Sequence, residues 1–177
     1  MPTRFVVAGT TFEPPAEPFV VKPSVSAGGR SSARFEPDEV DAARALVATI
    51  HAEGRTAMIQ PYLSGAEEKA VVYIGAEHSH ALLRRVPLPA AGSLSVLYLE
   101  EELAPADASA RERETAEAAL ACVPGKPLYA RVDLLGGAVL ELELTEPSLY
   151  FQLGSGSADR LAAAIAQRVS SGSTPTS

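Results

Sequence analysis

The stretch from Leu128 to Glu146 constrains the fold of this chain more than any other. It alternates polar and apolar residues on both sides of a Gly136-Gly137 pair, which is the pattern of a β-hairpin. Side chains alternate faces along a strand. Tyr129, Arg131 and Asp133 therefore share one face of the first strand, opposite Leu128, Ala130, Val132 and Leu134. In the second strand Glu141, Glu143 and Thr145 oppose Leu140, Leu142 and Leu144. Both apolar sets must meet one core, and that requirement fixes the register. A two-residue Gly136-Gly137 loop would set Asp133 against Leu140 and put an acid on the apolar face. A three-residue loop, Gly136-Gly137-Ala138, pairs Asp133 with Glu141 and Arg131 with Glu143. Opposed Cβ atoms lie about 4.5–5.5 Å apart, where like charges repel unless something neutralises them. A divalent cation would do so, and hard carboxylate oxygens suit magnesium. The other reading is a solvated acidic face with an Arg131–Glu143 ion pair of little energetic worth.

The remaining elements set the fold class. Residues 1–18 are a proline-rich lead-in with room for a short strand at 5–8, residues 19–169 form the body, and 170–177 have the composition of a disordered tail. Phe19-Val20-Val21-Lys22-Pro23 predicts an apolar strand stopped by proline, and a small-residue loop follows from Ser24 to Ser32. Residues 36–52 predict a helix. Pro37 suits its first turn, Asp38, Glu39 and Asp41 suit its dipole, and Val40, Ala43, Val47 and Ile50 form its apolar stripe. A strand at 56–60 precedes Pro61, and 69–74 with 78–86 predict a hairpin around Gly75-Ala76-Glu77. Residues 87–106 read as irregular apart from a strand at 96–99, and further helices span 108–121 and 158–169. Antiparallel hairpins with helices between them give an α+β fold, an antiparallel sheet with packed helices.

Composition narrows the partners. The 177 residues are 46% hydrophobic and 21% charged, enough to bury a core and too apolar for a disordered chain. Fifteen Lys+Arg against 22 Asp+Glu leave a formal net charge of −7, which argues against nucleic acid or anionic lipid as a partner. No apolar run approaches the roughly eighteen residues of a membrane span, and residues 1–7 lack the apolar core of a signal peptide. A cytoplasmic location is therefore expected. Cys122 stands alone, which excludes an internal disulfide and a cysteine-based zinc cluster.

Three further features carry chemistry only in combination. Lys22 ends a strand before a glycine-containing loop, where a lysine and backbone N–H groups from Ser26 to Ser31 can hold phosphate oxygens. The same residues also make an ordinary surface turn, and neither the P-loop order nor GxGxxG is present. Gln60-Pro61-Tyr62-Leu63 interrupts a sheet and would expose backbone groups to a base edge, or be a plain strand end. His78, His80, Leu82 and Arg84 share one face of their expected strand, a face that could recognise a carboxylate or phosphate.

Taken in order, Phe19–Pro23, the small-residue loop, Ile59-Gln60-Pro61-Tyr62-Leu63, Ser79-His80-Ala81, Arg131-Val132-Asp133 and Glu141-Leu142-Glu143 resemble the C-terminal portion of the ATP-grasp superfamily. The resemblance covers roughly residues 3–168. Within the superfamily it is nearest to proteins like the cyclo-ligase of cycloserine biosynthesis, and more distant to ribosomal-protein glutamate ligases and D-alanine–D-alanine ligase. It implies that Lys22 contacts ATP, that the loop with Ser26, Gly28 and Gly29 is a lid over the phosphates, and that Gln60, Tyr62 and Leu63 form the adenine hinge. It implies that Glu68 lines the nucleotide site and that Asp133, Glu141 and Glu143 hold magnesium, or manganese in its place. Arg131 and Arg84 would steady the transferred phosphoryl group.

The implied reaction is an ATP-dependent ligation in which a small-molecule carboxylate is activated as an acylphosphate and attacked by an amine. Asp133→Asn or Glu141→Gln should then weaken magnesium-dependent nucleotide binding and spare the fold. Glu143 stands where many relatives carry asparagine, and Arg84 where they often carry lysine. The usual N-terminal lobe has no counterpart in the sequence. The alternative expectation is thus a non-catalytic nucleotide- and metal-binding half-domain that needs a missing lobe or a partner chain, and the expected assembly is a homo-oligomer or a pair with a complementing chain.

Overall fold

The computed structural model of the chain describes residues 1–25, 31–85 and 101–172. The strand expected at 96–99, residues 26–30 of the expected lid and residues 173–177 of the tail lie outside them. The class is α+β, with antiparallel sheets and, among the described residues, three α-helices. The described residues divide into two compact units, the first with 1–25, 31–64 and 101, the second with 65–85 and 102–172.

The first unit holds a four-stranded sheet made of β1 (Arg4–Val6), β2 (Phe19–Pro23), β3 (Ala33–Phe35) and β4 (Ala57–Pro61), in the order β1-β4-β2-β3. Helix α1 (Val40–Ala52) lays Ala43, Leu46, Val47 and Ile50 against Phe19, Val21, Phe35, Ala57 and Ile59. Phe19 stacks on Phe35 at 5.7 Å between ring centroids. The helix begins four residues later than expected. Residues 36–39 form a turn instead, in which the Glu36 N–H donates to the Glu39 carboxylate at 2.7 Å. β3 escaped the sequence reading because two buried residues around Arg34 are too short an alternation to see.

The second unit holds a five-stranded sheet of β5 (Glu68–Ile74), β6 (Glu77–Arg85), β7 (Glu102–Ala106), β8 (Tyr129–Leu135) and β9 (Ala138–Glu143), ordered β7-β6-β5-β8-β9. Helix α2 (Ala110–Ala121) covers one face, over Val71, Tyr73, Ala130, Val132 and Leu134. Its start is fixed by a capping box between Ser109 and Glu112. The other face carries Ala70, Val72, Ile74 and Leu82 under Leu149, Tyr150 and helix α3 (Ser157–Gly172), which extends three residues past its expected end at 169. β7 replaces part of the stretch expected to be irregular. It is an edge strand, where a proline such as Pro105 is tolerated.

Both hairpins of this sheet depart from the expected loops in the same way. Gly136 and Gly137 have φ of 58° and 78°, and Leu135 pairs with Ala138, so the turn is two residues long. Two positive φ values make a primed turn, whose twist matches that of the strands. The parity problem is solved by a β-bulge: Leu134 pairs with Val139 while Asp133 pairs with Glu141, leaving Leu140 as the extra residue. The expected pairs Asp133–Glu141 and Arg131–Glu143 therefore form, but through a bulge and not a three-residue loop.

Gly75-Ala76 is likewise a two-residue turn, and the bulge beyond it makes Ser79 the extra residue. Tyr73 now pairs with His78 and Val72 with His80, so the two histidines point to opposite faces. This corrects the expectation that they share one. His78 meets the Tyr73 ring at 5.8 Å between centroids, while His80 shares the α3 side with Leu82 and Arg84.

Candidate functional site

On the α3 side of the second sheet, register gathers charged residues from four adjacent strands. Glu68 pairs with Arg84, Ala70 with Asp133, Asp133 with Glu141, and Arg131 with Glu143. Small Ala70 at the centre leaves room for the long side chains around it.

Asp133 is fully buried, at 0% exposure, and Arg131 is 4% exposed. Such a carboxylate must be paired. Arg131 provides a bidentate partner, Nε donating to Oδ1 at 2.8 Å and Nη2 to Oδ2 at 2.9 Å. Arg84 Nη1 also donates to Asp133 Oδ2, and it meets Glu68 Oε1 at 2.9 Å. Arg131 reaches further, from Nη2 to Glu143 Oε1 at 2.6 Å and from Nη1 to the Ser148 carbonyl at 3.2 Å. Its guanidinium lies 5.5 Å from the centroid of the Tyr150 ring.

These contacts set the electrostatics. Burial disfavours the Arg131 cation, but the Asp133 charge and hydrogen bonds outweigh it and hold the guanidinium above its ordinary pKa. Burial pushes the Glu143 carboxyl up, Arg131 pulls it down, and the adjacent Glu141 and Asp133 carboxylates push it up again. Its net displacement is upward. One oxygen from each of Asp133, Glu141 and Glu143 lies within 4.8 Å of the other two. Ligands about 2.1 Å from one magnesium stand at most about 4.2 Å apart, so small rotations would bring the three together. Four carboxylates and two guanidiniums leave the cluster two negative charges, the charge of one divalent cation. The donor set thus fits a hard cation.

The first unit carries the other sequence-predicted residues. Val20 pairs with Gln60 and Arg34, and Lys22 with Met58, so Lys22, Arg34 and Gln60 share the sheet face away from α1. Gln60 is buried, donates from Nε2 to Thr3 Oγ1 at 2.9 Å, and has its backbone paired with Val20 in the sheet. Tyr62 is half-buried, its N–H donating to the Pro18 carbonyl at 2.8 Å, and Leu63 is exposed. Ser26, Gly28 and Gly29 lie outside the described residues.

Sequence reasoning missed Arg34, whose guanidinium lies over the Tyr62 ring at 4.6 Å from its centroid. It also missed Ser148 and Tyr150, which hold Arg131. No sequence pattern marks either group, because both depend on long-range pairing. The expectation that His80 faces a ligand is also corrected. Its Nδ1 contacts Ser79 Oγ and its Nε2 the Leu149 carbonyl, both at 2.9 Å, so both ring nitrogens are engaged within the protein.

No protein-family model matches the chain. It is 33% identical over 170 residues to the cycloserine biosynthesis protein DcsG of Streptomyces lavendulae, covering 88% of this chain and 56% of that protein. The crystal structure of D-cycloserine synthetase DcsG superposes with a TM-score of 0.77 at 27% identity, over 94% of this chain and 64% of that one. D-alanine–D-alanine ligase from Bacillus anthracis, complexed with ATP, gives a TM-score of 0.63 at 20% identity, over 94% and 58% of the respective chains. The ATP-grasp ligase PsnB, complexed with minimal precursor, magnesium and ADP, gives 0.56 at 19% identity, over 86% and 47%. The chain thus spans between about half and two thirds of the length of these relatives. Among the described residues, no helix is long and apolar enough to cross a membrane.

Proposed function

Because the chain belongs to the ATP-grasp superfamily, we propose that it is the nucleotide- and metal-binding part of an ATP-dependent ligase that joins a small-molecule carboxylate to an amine. The observation that carries this reading is the carboxylate triad Asp133, Glu141 and Glu143, braced by Arg131 and Arg84. Residues 19–169 form the binding part in this reading.

Asp133, Glu141 and Glu143 would hold magnesium, or manganese in its place, and the ion would supply positive charge against the phosphate oxygens of ATP. Arg84, half-shielded between Asp133 and Glu68, supplies further positive charge beside the transferred phosphoryl group. Arg131 pairs with and orients Asp133 and Glu143, and any contact it makes with phosphate comes at the expense of those bonds. Lys22 neutralises phosphate, and Gln60, Tyr62 and Leu63 form the hinge against adenine. Glu68 keeps Arg84 aimed along the sheet. The loop holding Ser26, Gly28 and Gly29 excludes water from an acylphosphate that would otherwise hydrolyse.

In the proposed chemistry a carboxylate oxygen attacks the γ-phosphorus of ATP and ADP leaves. The amine then attacks the acyl carbon and inorganic phosphate leaves, its proton passing to solvent or a base. Hydroxylamine tests this directly, because it traps an acylphosphate as a hydroxamate. With a panel of small amino and hydroxy acids, hydroxamate that needs ATP, magnesium and the protein together would support ligation. A second reading is favoured by the partial coverage of the relatives: these residues bind nucleotide and metal and need a further chain or lobe for turnover. Magnesium-dependent nucleotide binding without hydroxamate from any acid would favour that reading. Absence of nucleotide binding by folded protein would contradict both.

A further inference from the structure

The segment that braces Arg131 packs on the core through Leu149 and Tyr150, and its backbone is held by the imidazole of His80. Ser148 contributes the carbonyl that accepts from Arg131, and Tyr150 contributes the ring beside the guanidinium. Between them lies Leu149, whose carbonyl is 2.9 Å from His80 Nε2. A carbonyl can only accept, so Nε2 carries a proton. In the neutral ring Nδ1 is then an acceptor, and it receives the Ser79 hydroxyl at 2.9 Å. The Ser79 oxygen in turn accepts from Arg160 Nε at 3.1 Å and Nη2 at 3.0 Å. One proton arrangement satisfies every member of this relay, and it fixes both the tautomer and the ring plane.

The far side of the ring is closed as tightly. A Cβ built on Gly154 would lie 2.5 Å from both Cγ and Nδ1 of His80, so no side chain other than hydrogen fits there. The Gly154 carbonyl is held by Ser157 Oγ at 2.6 Å, at the start of α3. Tyr150 has φ of 48°, a left-handed conformation that a bulky residue keeps only under constraint from its surroundings. Residues 149–154 are thus wrapped around one imidazole, and their outer edge touches Arg131.

We infer that His80 is a positioning residue for the metal site: by holding the Leu149 carbonyl it fixes Ser148 and Tyr150 against Arg131, and through Arg131 it orients the Asp133 and Glu143 carboxylates. This rests on the reading of those carboxylates as metal ligands. Burial holds the His80 pKa below its ordinary value, in keeping with the neutral tautomer. Groups that orient metal ligands from behind change metal affinity by roughly 10–100-fold when removed.

The test is manganese binding, followed by electron paramagnetic resonance of the free ion, in the full chain with a saturating non-hydrolysable ATP analogue. Gln places an N–H donor where Nε2 stood, and Asn is too short to do so. His80→Asn should raise the manganese dissociation constant by about tenfold or more, and His80→Gln should restore most of it. Gly154→Ala, which leaves His80 intact but drives a methyl into its ring, should weaken manganese by the same order. Denaturant unfolding of each variant fixes the folded fraction, and affinities are corrected to it. Wild-type affinity in both His80→Asn and Gly154→Ala would overturn the inference while leaving the metal site standing. So would equal losses in His80→Asn and His80→Gln. Absence of manganese binding by folded wild-type protein would overturn the metal reading, and this inference with it.

Discussion

Asp133→Asn is the substitution whose consequence the structure changes most. From the sequence it should remove a metal ligand and spare the fold. In the structure Asp133 is fully buried and faces two guanidiniums, with Arg131 bonded to both its oxygens and Arg84 bonded to one. Asparagine keeps the shape but removes the charge, and its NH2 group would meet a guanidinium N–H donor to donor. Removing one partner from a buried ion pair costs about 3–5 kcal/mol, because the remaining charge is left uncompensated. Arg131 retains Glu143 and Arg84 retains Glu68, which argues for the lower half of that range. For a chain of this size each kcal/mol lowers the unfolding midpoint by about 2–4 °C, so a fall of roughly 6–16 °C is expected. The assay is urea unfolding of the wild type, Asp133→Asn, Arg84→Met and the double variant. Arg84→Met removes the second uncompensated cation, so the double variant should be more stable than the sum of the single changes by about 1–3 kcal/mol. An Asp133→Asn variant within about 0.5 kcal/mol of wild type, or strict additivity in the cycle, would refute the account of the buried charges.

Three other outcomes follow from the same geometry. Lys22→Ala should raise the nucleotide dissociation constant to a similar extent with and without magnesium, measured by titration calorimetry; an unchanged constant would remove Lys22 from the site. Glu143→Asn keeps an oxygen able to ligate metal but breaks the bond to Arg131. Its magnesium-dependent nucleotide binding should survive with a smaller loss than removal of Asp133 produces, and complete loss would contradict this. Burial lowers the pKa of His80, so the unfolded chain takes up a proton that the native protein refuses. Stability from this group is complete above about pH 6.5 and is lost as pH falls toward the lowered native pKa. Glu143, with its raised pKa, acts in the opposite sense at lower pH. Comparing denaturant midpoints of wild type and His80→Gln between pH 7.5 and 5.5 isolates the histidine; parallel pH profiles would contradict its burial as the neutral form.

Local pattern made much of the second sheet legible. Alternation in β8 and β9 identified the faces, and charge opposite charge followed from the register. The turn itself was not legible, because a bulge at Leu140 serves the same parity as a longer loop. The bulge at Ser79 went unseen for the same reason, and with it the separation of His78 from His80. Positive charge at Arg84 and Arg131 was visible as a residue type. That both converge on Asp133 depends on pairing between strands 49 residues apart in sequence, which no local pattern carries. Short elements failed for want of length: β3 and β7 offer one or two alternations each, and Pro105 disguises the second as a loop. Lys22 and Gln60 were legible as strand-end residues, and the paired register puts them on one face. Arg34, on the same face, sits beside nothing in the sequence that would single it out.

The central claim is that the exposed end of the triad, Glu141, works with Asp133 and Glu143 as a metal site for nucleotide. Glu141 is free of the buried ion pairs, so Glu141→Gln should leave unfolding unchanged. Titration calorimetry of wild type and Glu141→Gln with a non-hydrolysable ATP analogue, with and without magnesium, addresses the claim most directly. The wild type should bind saturably and more tightly with magnesium, and Glu141→Gln should lose that strengthening. Wild-type binding indifferent to magnesium, or full magnesium enhancement in Glu141→Gln, would contradict the claim.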